Sequence, residues 1–342
     1  MKIFLNETKS KHGLYPFAAT RHVADIRIGI LTIREKWEHA GLFQLCESAA
    51  AADVELPANI IPTKTWMNNL ITISGKKVNL IANGDLQILN DPWQIFQLND
   101  WALRKDFEMI TAGRASQPIP ATNKITGVAN IFLEEGAVVE HSILNASAGP
   151  IYIGKNAQVM EGCMIRGGFA LCEGAVLKMG SKIYGATTIG PHCNAAGEIK
   201  NAVMFGYSNK AHDGYLGDSV IGEWCNLGAG TTNSNVKNTA GDVKVWSNAD
   251  NDYISVGLKC GLLMGDYSRS AINTSFNTGT VVGICCNIFV PHFPSKFISD
   301  FTWGEERYTF AKILQDIGNW KRLKGHSVTK KEEEILKHLY NQ

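Results

Sequence analysis

The stretch Asn209-Lys210-Ala211-His212-Asp213-Gly214-Tyr215 concentrates side chains that can move a proton and hold an anion. Histidine changes charge near neutral pH, which makes His212 a candidate general base for an incoming nucleophile. Lys210, Tyr215 and Asn226 around it could together bind an anionic sugar. Lys182 and Lys200 would form a phosphate clamp if they face the same cleft, and are ordinary solvated charges if they do not. A catalytic zinc needs a set of histidines at fixed spacing, whereas His141, His192, His212 and His292 are scattered one to a region, so no metal chemistry is expected from them. The eight cysteines contain no CxxC pair, and the adjacent Cys285 and Cys286 are a poor start for a disulfide framework. Reduced, buried thiols in a cytoplasmic protein are expected.

The elements that position these residues follow from glycine and from a six-residue period. The chain has 342 residues, 45% of them hydrophobic, a net charge of +1, and 33 glycines. So small a net charge cannot supply the field that a phosphate backbone or an anionic membrane surface demands, which argues against nucleic-acid and membrane partners. The first seven residues reach charge too early for a signal peptide, and no apolar stretch approaches a membrane span. Cut every six residues from Ile153, the chain reads IGKNAQ, VMEGCM, IRGGFA, LCEGAV, LKMGSK, IYGATT, IGPHCN, AAGEIK. The first position is aliphatic or Ala throughout, and the fifth is mostly small: Ala157, Cys163, Phe169, Ala175, Ser181, Thr187, Cys193, Ile199.

Neither a helix, which would not tolerate these glycines, nor a simple strand alternation accounts for that period. It predicts a left-handed parallel β-helix, with an aliphatic side chain entering a narrow prism at every sixth residue and glycine at the corners. A second block in the same period begins at Leu258, and hexads at Ile221 and Leu227 lie between. The frame breaks at 201–220 and 233–255 read as loops, where function usually sits. Residues 1–115 mix helical stretches, 33–45 and 91–98, with short apolar runs such as 78–82, and read as a small α/β domain. The β-helix is expected over 116–293 and a helical tail over 294–342, where Thr329 and Glu332 fit a capping box and Ile335, Leu336 and Leu339 form an apolar face that needs a partner surface. The fold class is therefore mainly β, with flanking helical elements.

The order and spacing of Glu198-Ile199-Lys200-Asn201, Asn209 to Asp218, Ile221-Gly222 and Asn226 to Thr231 resemble the acetyltransferase half of the bifunctional N-acetylglucosamine-1-phosphate uridylyltransferase/glucosamine-1-phosphate N-acetyltransferases. Leu14 to Arg21 and Asp25 to Trp37 are similar to a divergent branch of sugar nucleotidyltransferases, as are Asn277 to Gly283 and Phe301-Thr302-Trp303-Gly304. The resemblance implies acetyl transfer from acetyl-coenzyme A to an amino-sugar phosphate, on the route to UDP-N-acetylglucosamine. Carried over residue by residue, it puts the catalytic base on His212 and the sugar-phosphate ligands on Lys182, Lys200, Tyr215, Asn226, Asn235 and Lys244. Ala229 falls at the acetyl-coenzyme A site. It also implies a homotrimer, because relatives bind coenzyme A between neighbouring β-helices.

The amino-terminal half departs from that pattern. Nucleotidyltransferases cradle a triphosphate in a glycine-rich loop, because backbone N–H groups must approach the phosphates closely. Nothing before Gly29 supplies such a run. Asp85, in Asn83-Gly84-Asp85, corresponds to the family's magnesium-binding aspartate, or is part of a hairpin turn; Mg2+ is expected only if this domain is active. Arg21 and Lys36 are candidate phosphate contacts or surface charges. Reduced or lost nucleotidyl transfer is therefore expected. Two other readings stay open: a sugar-1-phosphate nucleotidyltransferase whose β-helix serves assembly, and a non-catalytic trimeric scaffold.

Overall fold

A computed structural model describes residues 1–72 and 84–342, and the apolar run 78–82 and Asn83 lie outside it. The hexads build a left-handed parallel β-helix of about ten turns. Ile153, Val159, Ile165, Leu171, Leu177, Ile183, Ile189 and Ala195 all lie in one core along the prism axis, as do the fifth-position residues Ala157, Cys163, Phe169, Ala175, Cys193 and Ile199. Each coil contributes a short strand to each of three sheets. The first sheet stacks Met164–Arg166, Lys182–Tyr184 and the leading halves of Glu198–Met204 and Tyr215–Ile221. The second stacks Ile151–Ile153, Phe169–Leu171 and Thr187–Ile189, then the trailing halves of the same two long strands, then Leu262–Met264 and Thr280–Val282. The third runs through Val176–Leu177, Asn194–Ala195, Asn209–Lys210, Asn226–Leu227 and Arg269–Ser270.

The break at 201–220 is not a loop. Glu198–Met204 and Tyr215–Ile221 are seven-residue strands that pass from the first sheet to the second without leaving the stack. The six-residue frame slips there because the corners change length, while the sheets continue. The break at 233–255 is a true excursion, ending in an antiparallel hairpin of Lys244–Ser247 with Asp252–Ser255. The second block starts at Leu262 and not at Leu258, which is 59% exposed. Past residue 293, Phe297–Ile298 and Thr302–Trp303 still extend the second and third sheets.

The amino-terminal region has a parallel sheet of Gln44–Leu45, Lys2–Asn6 and Val54–Pro57, with helices α1 (Ile33–Ala40), α2 (Lys64–Thr72), α3 (Gln94–Gln97) and α4 (Asn99–Thr111). The helix expected over 33–45 stops at Gly41, whose φ of 66° sits in the left-handed region, and the chain re-enters the sheet at Gln44. This region is fused to the solenoid: Ile3, Leu14, Phe17 and Trp37 share a core with Val203, Val220, Leu263 and Val281 of the second sheet. Helices α5 (Phe310–Arg322) and α6 (Lys330–Tyr340) pack against Trp224, Tyr267, Ile284 and Cys285 of the solenoid. The Thr329–Glu332 capping box forms in both directions. Leu336 finds its partner surface on Trp224, Tyr267, Phe301, Ile313 and Ile317. All eight cysteines are free, and all but Cys46 are buried. No described helix is long and apolar enough to cross a membrane.

Candidate active site

Side chains on a strand alternate between prism and solvent, so the residues flanking buried Ile183 and Ile199 point outward. Lys182 therefore stands opposite Glu198, and Glu198 opposite Tyr215, in one outward column of the first sheet. Tyr184 and Lys200 form the next column. Three of the expected ligands, Lys182, Lys200 and Tyr215, are thus gathered on three successive coils of one face. Asn235 joins them: the chain leaving Asn233 folds back, and its amide donates to the Tyr215 hydroxyl at 3.2 Å and to the Asp218 carboxylate. Asp218 is buried and also takes a 2.7 Å bond from Asn201, so it pins the corner at which the first sheet turns into the second. Burial pushes the Tyr215 phenol up, and the nearby Asp218 carboxylate adds to the effect, so the ring stays a neutral donor or acceptor.

His212 lies at a different corner, where the third sheet turns into the first, between the strands Asn209–Lys210 and Tyr215–Ile221. Its side chain is exposed. The next coil repeats the corner with Ala229 and Gly230, and Gly230 donates to the Asp213 carbonyl at 3.1 Å, so His212 and Ala229 occupy successive steps of one edge. Asn226 sits on the other side of that edge, on the third sheet, opposite Asn209 and Arg269. The expected ligands therefore straddle the edge that carries the histidine. Gly197, beneath this corner, has φ of 80°, and a Cβ there would meet the Gly214 carbonyl oxygen at 2.7 Å. Lys244 stands apart on the hairpin strand Lys244–Ser247, exposed, opposite Ser255.

Sequence reasoning missed several groups. Glu198 and Tyr184 share the face with the two lysines, and a bond to Glu198 pushes the Tyr184 phenol up to about 12. Asp218 was hidden as the last letter of a recognised run. Lys210, expected with Tyr215 and Asn226 to bind an anionic sugar, is instead 2% exposed and points into the prism. Burial pushes its amine down to about 8, against 10.5 in an unfolded chain. Below pH 8 the folded state must hold a charge that the interior disfavours, and above 10.5 both states are neutral. Relative to a Lys210→Met variant, the natural chain is therefore expected to gain about 3 kcal/mol of stability between pH 8 and 10.5, measured by urea unfolding across that window.

The amino-terminal candidates are engaged inside the fold. Lys36 is 1% exposed, and its amine bonds the Asp106 carboxylate at 2.6 Å and the Ile28 carbonyl at 2.8 Å. Arg21 spans the junction with the solenoid, paired with Asp266 and with Glu223 at 3.3 Å, above the Phe205 ring. Neither is a surface charge: each neutralises carboxylates of this chain. The Asp85 carboxylate accepts from the Thr63 hydroxyl at 3.4 Å, beside the antiparallel pair Ile60–Pro62 and Leu86–Ile88. Among the described residues no three His, Cys, Asp or Glu side chains converge to hold a metal. A cleft of about 1460 Å³, sharing no residue with the His212 group, opens between Lys11, Tyr15, Arg21 and Arg34 on one side and Asp300, Lys331 and His338 on the other.

A family model for sugar nucleotidyl transferases matches residues 3–42. The bifunctional protein GlmU of Methanocaldococcus jannaschii is 30% identical over 118 residues, 34% of this chain and 28% of that protein. GlmU of Methanococcus maripaludis strain C5 is 25% identical over 262 residues, 72% of this chain and 54% of that protein. A bifunctional sugar-1-phosphate nucleotidylyltransferase/acetyltransferase of Sulfurisphaera tokodaii is 36% identical over 96 residues, 28% of this chain and 23% of that protein. The matched stretches thus span about half of these relatives' length at most.

Proposed function

We propose that this chain, a divergent relative of the GlmU-like bifunctional proteins, is an acyltransferase that moves the acetyl group of acetyl-coenzyme A onto the amine of a sugar phosphate such as glucosamine-1-phosphate. The observation that carries the reading is the grouping at one edge: His212 and Ala229 on successive steps, with Lys182, Lys200 and Tyr215 on the adjoining sheet, Asn235 bonded to Tyr215, and Asn226 on the other sheet. The amine nitrogen attacks the thioester carbonyl as His212 takes its proton. The tetrahedral oxyanion is stabilised by backbone N–H groups at the edge, and the C–S bond breaks to release coenzyme A thiolate. Lys182 and Lys200 hold the phosphate, while Tyr215, Asn226 and Asn235 orient the sugar. Lys244 would join the phosphate ligands by movement of its hairpin.

The edge at His212 is exposed, which suits a homotrimer in which a neighbouring β-helix would complete the site. The free thiols suit a reducing compartment such as the cytoplasm, where UDP-N-acetylglucosamine synthesis would use the product. Incubation with glucosamine-1-phosphate and acetyl-coenzyme A, followed by mass spectrometry, tests the reading. The N-acetylated sugar phosphate is expected; unreacted sugar alone would contradict it.

A nucleotidyl role is the second reading, favoured by one observation: residues matched by the nucleotidyl transferase family model line much of the large cleft. Lys36 and Arg21 are engaged with carboxylates of this chain, so UDP-sugar formation from UTP and N-acetylglucosamine-1-phosphate is expected to be absent. Formation of UDP-sugar that is abolished by Asp85→Ala would overturn that expectation.

A further inference from the structure

The edge carrying His212 is built unlike the coils around it. At several coils along this edge the carbonyl that opens the corner is capped by a hydroxyl: Met160 by Ser142 at 3.1 Å, Lys178 by Ser181 at 2.7 Å, and Ala271 by Thr274 at 2.8 Å and Thr231 at 3.2 Å. Two consecutive corners, 196–197 and 211–214, contain no hydroxyl residue. Between Asn194–Ala195 and Glu198–Met204 the corner has only Ala196 and Gly197, with no hydroxyl. The corner above it, 211–214, ends on Gly214, where a Cβ would collide with the Thr231 carbonyl, so no serine or threonine fits. A buried carbonyl left without a donor is costly, and some group must replace the hydroxyl.

That group is Lys210. It occupies a prism position filled by Leu177 and Ala195 in the coils before it and Leu227 in the coil after it. The small Ala195 directly beneath leaves room for its stem. Its amine donates to the Ala196 carbonyl at 3.1 Å and to the His212 carbonyl at 2.8 Å. One amine thus ties the short corner to the corner of the histidine from inside, and turning the His212 carbonyl inward directs the imidazole outward. Asp213, on the same corner, is the charged group that acts on it.

We propose that Lys210 is a positioning residue for His212, replacing the missing corner hydroxyl and holding the imidazole at the angle the reaction needs. The kinetic part rests on the acetyl-transfer reading; the structural part does not. The test compares the natural chain with Lys210→Met, which keeps stem volume and removes the donor, and with Lys210→Leu, the residue the next coil uses, should the first fail to fold. In the substrate-free protein, the His212 imidazole resonances, assigned by their loss in His212→Asn, are expected to shift and broaden, while those of His141, on a distant coil, stay in place. With glucosamine-1-phosphate and acetyl-coenzyme A, kcat is expected to fall at least about tenfold with both KM values within about threefold. Unchanged His212 resonances in a folded variant overturn the proposal whether or not the protein is active, and so does an unchanged kcat. Absence of turnover in the natural chain counts against the acetyl-transfer reading alone, because the resonances still report the coupling.

Discussion

Replacing His212 with alanine is expected to lower kcat for acetyl transfer by about 10²- to 10⁴-fold, the range that a positioned general base contributes. The sugar amine is a poor nucleophile while protonated, and His212 is the imidazole this corner turns outward, while Lys210 faces away into the prism. Binding of the sugar phosphate is expected to change little, because its ligands lie on the neighbouring sheets and not on the corner itself. The signature is therefore a fall in kcat with KM nearly constant. Titration calorimetry with the sugar phosphate alone provides the control. A loss of binding as large as the loss of rate would show that His212 shapes the pocket and does not move the proton.

Removing the Asp106 carboxylate is expected to have the largest effect on stability, about 3–5 kcal/mol for Asp106→Ala. Asp106, on α4, bonds the Lys36 amine at 2.6 Å and the backbone N–H groups of Ile30 and Leu31 at 2.8 and 3.0 Å. The same loop is tied to the solenoid: Asn99 accepts from Gly29 at 2.8 Å and donates to the Ala186 carbonyl at 2.9 Å, and Thr188 donates to the Gly29 carbonyl at 2.8 Å. Burial pushes the Lys36 amine down and the Asp106 carboxyl up, and each is opposed by the charge of the other. Alanine leaves a buried ammonium and two backbone N–H groups without acceptors, at the seam where the amino-terminal region meets the second sheet. Urea unfolding of Asp106→Ala against the natural chain checks this; a loss below about 1 kcal/mol would mean that water replaces the carboxylate at the seam. Asp106→Asn, which keeps an acceptor, is expected to lose less.

The solenoid was legible because most coils put an aliphatic or small side chain into the narrow prism at every sixth residue, so the constraint is written as a period. It became illegible at 201–220 because a two-residue corner shifts the frame without interrupting the hydrogen-bonded stack. Helix α4 escaped notice for another reason. Its buried face is Asn99, Ala102, Leu103, Asp106 and Ile110, and two polar members break the apolar pattern that would mark a helix. Those two residues serve the seam, and their partners are about 70 to 90 positions away in the chain. Lys36 and Arg21 were ambiguous for the same reason, since a single charged letter does not reveal a carboxylate 70 or 245 residues distant. Lys182, Lys200 and Tyr215 were grouped by the family resemblance alone, because the hexad frame breaks before Tyr215 and the shared face appears only where Tyr215–Ile221 rejoins the stack. Asn235 and Asp218 required the return of the chain after Asn233, which no local pattern encodes.

The central claim is that the edge carrying His212 transfers an acyl group to an amine. It is tested most directly by following free thiol in mixtures of the chain, acetyl-coenzyme A and glucosamine-1-phosphate, with each small molecule omitted in turn. Thiol release that requires both and is nearly abolished in His212→Ala is the predicted result. No release above the omitted-substrate controls with any amino-sugar phosphate, or release indifferent to His212, would contradict it.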